Sequence, residues 1–102
     1  MNHTIEYDYQ QLAEVEIDNQ KAEQYIKQMV EFWSNWEWNL EENDGDYTKT
    51  WLKTLALFIL ERGRIPREDE GWCDLDGKYG IKVLYWSRFE FDEDQIEITS
   101  KP

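Results

Sequence analysis

The period of the apolar residues changes twice along this 102-residue chain, and those changes constrain the fold more than any other feature. Residues 4–9 alternate, with Ile5, Tyr7 and Tyr9 on one side and Glu6 and Asp8 on the other. Residues 13–18 repeat the pattern with Ala13, Val15 and Ile17 against Glu14, Glu16 and Asp18. Period two with β-branched and aromatic residues on one face predicts two half-buried strands. The Gln10-Gln11 joint carries no strong hairpin signature, so a single bulged strand competes with a hairpin. From about Gln20 the period becomes helical, through Ala22, Tyr25, Ile26, Met29, Val30, Trp33, Trp36 and Leu40. Asp18 or Asn19 supplies the cap.

Glu41-Glu42-Asn43-Asp44-Gly45-Asp46 interrupts the helical pattern as a turn. Asp44 or Asp46 caps a second helix, whose stripe is Trp51, Leu52, Leu55, Ala56, Phe58 and Ile59. Gly63 and Pro66 mark its end. Residues 64–80 read as an irregular connection, long for a small domain. Residues 81–91 return to period two, with Ile81, Val83, Tyr85, Phe89 and Phe91 sharing one face and Leu84 and Trp86 on the other. Asp92-Glu93-Asp94 makes a turn, and Gln95–Thr99 is a last strand with Ile96 and Ile98 inward. The order ββααββ predicts one α+β domain over residues 1–102, an antiparallel sheet of about four strands with two helices packed on one face.

Composition decides whether such a domain has a core. Six Trp, six Tyr and four Phe make up 16% of the chain. Each ring buries roughly 150–250 Å², so a few of them replace many aliphatics. The remaining surface is strongly anionic: 23 acids against 11 Lys and Arg, a formal net charge of −12. Such a surface repels nucleic-acid phosphates and anionic membranes and attracts basic protein surfaces. No Lys or Arg falls between Lys27 and Lys49, while Glu31, Glu37, Glu41, Glu42, Asp44 and Asp46 do. Glu68–Asp76 carries five acids and no base, and Glu90–Glu97 is similar. Glu6, Asp8, Glu14 and Glu16 lie on the polar face of the first strands, so pairing of those strands is expected to set like charges across from each other.

Catalytic chemistry has little material. His3 is the only histidine and sits at a terminus expected to fray. Cys73 is the only cysteine, which excludes an internal disulfide and fits a reducing compartment. A zinc site needs clustered Cys and His, and no phosphate loop or dinucleotide fingerprint is present. Asp74-Leu75-Asp76-Gly77 hints at a calcium loop, but the first and twelfth ligand positions would be Trp72 and Val83. Neither a cofactor nor a metal is expected, and the chain reads as a non-enzyme. The longest apolar run, Leu55–Leu60, is six residues against the roughly 20 a membrane span needs. No signal peptide is visible, and a cytoplasmic protein is expected.

The tryptophans separate the candidate binding residues from the core. Trp33, Trp36 and Trp51 fit the core stripes, whereas Trp38, Trp72 and Trp86 fall off them. Aromatics ringed by carboxylates match the anatomy of protein-binding hot spots. The candidate contacts are Glu37, Glu41, Glu42, Asp44 and Asp46, with Glu68, Asp69, Glu70, Asp74 and Asp76 as a second patch and Trp38 and Trp72 as apolar anchors.

Tyr7-Asp8-Tyr9-Gln10, Phe32-Trp33-Ser34, Leu40-Glu41-Glu42-Asn43-Asp44-Gly45-Asp46, Leu52 with Leu55-Ala56, and Tyr79-Gly80-Ile81-Lys82-Val83 together resemble a family of small acidic proteins encoded by phages and prophages. That family has no catalytic motif and no characterised biochemical role, so the resemblance transfers no site residue. It implies a setting, since small acidic phage proteins are often made to block host defence enzymes with basic nucleic-acid channels. The expected function is a non-enzymatic protein that occupies the basic surface of a nucleic-acid-binding host protein. The alternative is a small structural or regulatory module, dimeric through a sheet edge, whose acidity only confers solubility.

Overall fold

The computed structural model describes residues 1–7, 10–70, 72, 75–87 and 96–101, with the backbone alone for Gln10, Asp69, Ile96, Glu97, Thr99, Ser100 and Lys101. Within them the fold is α+β. Strands β1 (Asn2–Tyr7) and β2 (Gln10–Ile17) are followed by helices α1 (Asn19–Phe32), α2 (Trp36–Glu42) and α3 (Tyr47–Arg62), then β3 (Ile81–Trp86) and β4 (Ile96–Lys101). The strands form one antiparallel sheet in the order β3-β2-β1-β4.

Alternation in β1 works as expected, with Ile5 and Tyr7 buried, and it also buries His3. The expectation that His3 frays is therefore corrected: β1 is held between two neighbours, and His3 pairs with Val15 and Ser100. In β2 the register skips Leu12, so Leu12 and Ala13 both turn inward and both are fully buried. Among the described residues the expected facing of like charges between β1 and β2 is not formed; Asp8, like Tyr9, lies outside them. Glu14 stands across from Thr4, Glu16 from Asn2 and Lys82, and Glu6 from Gln11. A second bulge skips Leu84 in β3, which reverses the expected faces beyond it. Trp86 falls across from Ala13 on the core side, and Tyr85 across from Glu14 on the open side. Phe89, Phe91 and the Asp92–Asp94 turn lie outside the described residues.

Three helices replace the two expected. Asp18 caps α1, its carboxylate accepting from the Gln20 and Lys21 N–H groups. The helix ends at Trp33, which is extended, and Asn35 is left-handed at φ 59° before α2 begins. Asn tolerates this region because its short side chain satisfies local backbone groups. The apolar spacing runs through the break without a gap, so Ser34-Asn35 was the only local signal.

The core lies between the helices and one face of the sheet. Ile5, Val15, Ile17 and Ile81 from the strands meet Ile26 and Val30 of α1 and Trp51, Leu55 and Ile59 of α3. The Trp51 indole N–H donates to the Met29 sulfur at 3.4 Å. Asp46 caps α3 through the Lys49 N–H at 3.0 Å, and Gly63 at φ 67° closes it by donating to the Ile59 carbonyl. The connection after α3 is tied to the start of α1 at Gly80, whose carbonyl accepts from the Asp18 N–H at 2.8 Å. A Cβ at Gly80 would lie 2.9 Å from the Lys21 Cβ at a φ of +84°, so this approach requires glycine.

Candidate functional site

Helix α2 and the turn after it gather the first set of candidate residues. Trp36 and Leu40 face inward and are half-buried, which leaves the other sides of this seven-residue helix to solvent. Glu37 and Glu41 are one turn apart, as are Trp38 and Glu42, so the four form two adjacent exposed rows. Asp44, left-handed at φ 59°, and Asp46 extend the group into the turn. Asn43 anchors this turn: it is buried, and its amide N–H donates to the Asn39 carbonyl at 2.8 Å. Trp38 is 64% exposed in the midst of these acids.

The local electrostatics are unfavourable to the helix. Among the described residues, none of Glu37, Glu41, Glu42 and Asp44 makes an ion pair. Glu37 is placed well in the first turn, but Glu41 and Glu42 stand at the carbonyl end, with no basic residue in the last turn. Negative charge there opposes the helix dipole at a cost of about 0.3–1 kcal/mol per charge. Asp46 differs from the rest, because its carboxylate is engaged as the α3 cap. Glu31 is likewise engaged, accepting from the Tyr47 hydroxyl at 2.7 Å, and that bond holds the Tyr47 phenol above its ordinary pKa.

A groove of about 160 Å³ runs between α2 and α3, lined by Trp38, Asn39, Glu42, Asn43, Thr50, Lys53, Thr54 and Leu57. Sequence reasoning found Trp38 and Glu42 but not the α3 side of this groove. Thr50, Lys53, Thr54 and Leu57 sit at helical spacing on the flank of the α3 stripe, and only the turn at residues 43–46 sets that flank beside α2.

The second set is dispersed and partly neutralised. Glu70 forms a bidentate pair with Arg64, both N–O distances 2.7 Å, and accepts the Arg67 backbone N–H at 3.0 Å. These bonds, the Arg64 pair first, pull the Glu70 carboxyl down to about 2. Glu68 and Asp76 are exposed, and both line a shallow groove with Ile65, Pro66, Arg67, Leu75 and Val83. The backbone of Asp76 bridges to Lys82 at the edge of β3. Asp69 has a described backbone only, and Asp74 and Cys73 lie outside the described residues. Trp72 is not presented at the surface, as the expected anchor role requires. It is buried, with its ring 4.9 Å from Trp33, 5.6 Å from Trp51 and 5.8 Å from Phe58. A large ring in a polar loop is drawn inward because three other rings are there to receive it.

A further cleft of about 440 Å³ lies at the start of α3, lined by His3, Asn19, Asp46, Thr48, Lys49, Leu52 and Ile98 among others. Burial and then the nearby terminal amine lower the His3 pKa, while Asp46 opposes the shift. Among the described residues no group of three His, Cys, Asp or Glu side chains is placed to hold a metal ion, and no helix is long and apolar enough to cross a membrane. Comparison with protein-family models, curated proteins and solved structures finds no match.

Proposed function

We propose that this protein is a non-enzymatic acidic binding protein of phage or mobile-element origin, which inhibits a nucleic-acid-handling host protein by occupying its basic surface. The observation that carries this reading is the α2 patch. Glu37, Glu41, Glu42 and Asp44 are exposed, free of ion pairs among the described residues, and gathered around an exposed indole. Two of these charges oppose the dipole of their own helix, so the arrangement does not serve stability. Charge held at a local cost is a mark of a functional surface. The scale fits a nucleic acid mimic. The molecule measures 31 × 29 × 28 Å, a span over which duplex DNA presents about 18 phosphates at one per ~1.7 Å. Its partner is a basic protein surface in the host cytoplasm; no direct contact with nucleic acid or membrane is involved.

Affinity capture from host lysate at low salt, eluted by a salt gradient, tests this. The native protein should retain a nucleic-acid-binding protein that elutes steeply with salt, and the E37Q/E41Q/E42Q/D44N variant should lose it. Identical elution from both proteins, or capture of abundant ribosomal proteins alone, would overturn the reading.

One observation favours a second reading, a homodimeric module whose acidity confers solubility. Leu84, Tyr85 and Trp86 are exposed in succession on β3, beyond the part of its edge covered by the Leu75 carbonyl bond to the Val83 N–H. Light scattering at two salt concentrations separates the two. A dimer that persists at both supports this module, and a monomer at both excludes it.

A further inference from the structure

Resting on the reading just given, we propose that the groove between α2 and α3 is a receptor for a single arginine side chain of the basic partner. Its size suits one long side chain: about 160 Å³ is well below the roughly 300–1,000 Å³ of a small-molecule pocket. Its chemistry is that of an acceptor. One of the two Asn43 side-chain N–H groups donates to the Asn39 carbonyl, which fixes the orientation of the amide. No described residue donates to the Asn43 Oδ1, and Asn43 lines the groove. The Thr50 and Thr54 hydroxyls donate to the Asp46 and Thr50 carbonyls, so the groove receives their lone pairs rather than their protons. Glu42 adds a carboxylate, and Trp38, one helical turn before it, adds an exposed π-face.

An open acceptor takes a donor, a carboxylate takes a cation, and an exposed indole face attracts a flat cation. The guanidinium meets all three demands at once, with five N–H groups in a plane that stacks on the ring. An ammonium meets the charge but neither the planar stacking nor the forked geometry. Among the described residues Lys53 is the one cation lining this groove. It works against an incoming guanidinium, which gives the proposal a variant predicted to gain affinity.

The test compares hexa-arginine with hexa-lysine, peptides of equal charge, by fluorescence anisotropy at fixed low salt. Wild-type protein should bind the arginine peptide about tenfold more tightly. Trp38→Ala and Glu42→Gln should each remove most of that preference, Trp38→Phe should keep part of it, and Lys53→Gln should tighten arginine binding. Glu37→Gln with Glu41→Gln, off the groove, should weaken both peptides alike. Circular dichroism checks that each variant is folded. Equal affinity of the wild type for both peptides, or an arginine preference that survives both Trp38→Ala and Glu42→Gln, would overturn the arginine receptor while leaving a charge-driven binding surface intact. Failure to bind either peptide at low salt would overturn both.

Discussion

Residues 37–46 and residues 68–76 are alike in composition, each with five acids, no base and a tryptophan off the core stripes. The fold uses them in opposite ways. The first presents its carboxylates and Trp38 to solvent. The second turns Trp72 into the core and ties Glu70 to two arginines. What separates them is the surrounding sequence. Arg64 and Arg67 precede the second segment within one turn of chain, whereas no Lys or Arg falls between Lys27 and Lys49. An acidic run becomes structural where a cation pairs with it, as Arg64 does with Glu70, and stays a free anionic surface where none does. For the tryptophans the same contrast holds. Trp72 follows a loop that packs back on Trp33, Trp51 and Phe58, while Trp38 lies on the outer side of a helix whose inner side Trp36 and Leu40 already occupy.

The largest effect should come from exchanging the two indoles for alanine. Trp72→Ala removes a buried ring from a cluster of four and should cost about 3–5 kcal/mol. Trp38→Ala removes an exposed ring and should change stability by less than about 0.5 kcal/mol. Urea unfolding of both variants checks this. Similar midpoints would erase the distinction between the two regions.

A second and smaller effect separates the carboxylates by pH. Glu70 titrates at about 2 in the folded protein against an ordinary value of 4.5, chiefly through Arg64. Its folded pKa is depressed, so its contribution to stability is present above the unfolded value and is lost as pH falls from 4.5 towards 2. The pair is solvent-exposed and salt weakens it. Glu70→Gln should lower stability at neutral pH and flatten the change between pH 4.5 and 2, as followed by urea midpoints across that range. An unchanged pH profile in Glu70→Gln would mean that the Arg64 pair contributes nothing to folding.

Much of this contrast was beyond what local sequence carries. The strands and helices follow from apolar period, and the caps at Asp18 and Asp46 and the stop at Gly63 follow from residue chemistry. The bulges at Leu12 and Leu84 do not, because a skipped residue is defined only by the strand opposite. Without them the face of Trp86 and the partners of Glu14 and Glu16 cannot be assigned. The break between α1 and α2 was hidden because Trp33 and Trp36 keep helical spacing across it. The burial of Trp72 is not legible for a related reason: its neighbours in sequence are mostly polar, and its neighbours in space come from the end of α1 and from α3. The exposure of the α2 acids was legible, since it depends on the apolar stripe through Trp36 and Leu40 and on an absent counter-charge in the neighbouring sequence, both local. Its groove was not, since half of it belongs to α3.

The smallest expected effect sharpens the comparison most, because its sign is opposite in the two regions. Glu41 and Glu42 occupy the last turn of α2, where the unsatisfied carbonyls carry partial negative charge, and Glu37 lies one turn before Glu41. Each interaction is repulsive and amounts to a few tenths of a kcal/mol at low ionic strength. Glu41→Gln with Glu42→Gln should therefore raise stability slightly, where Glu70→Gln lowers it. The gain should shrink in high salt, because these side chains are exposed and screening removes the repulsion that the amides relieve. Thermal unfolding of the double variant at two salt concentrations measures it. A loss of stability instead would mean that these carboxylates support the fold, and the α2 surface would then be structural in the same sense as the Glu70 pair.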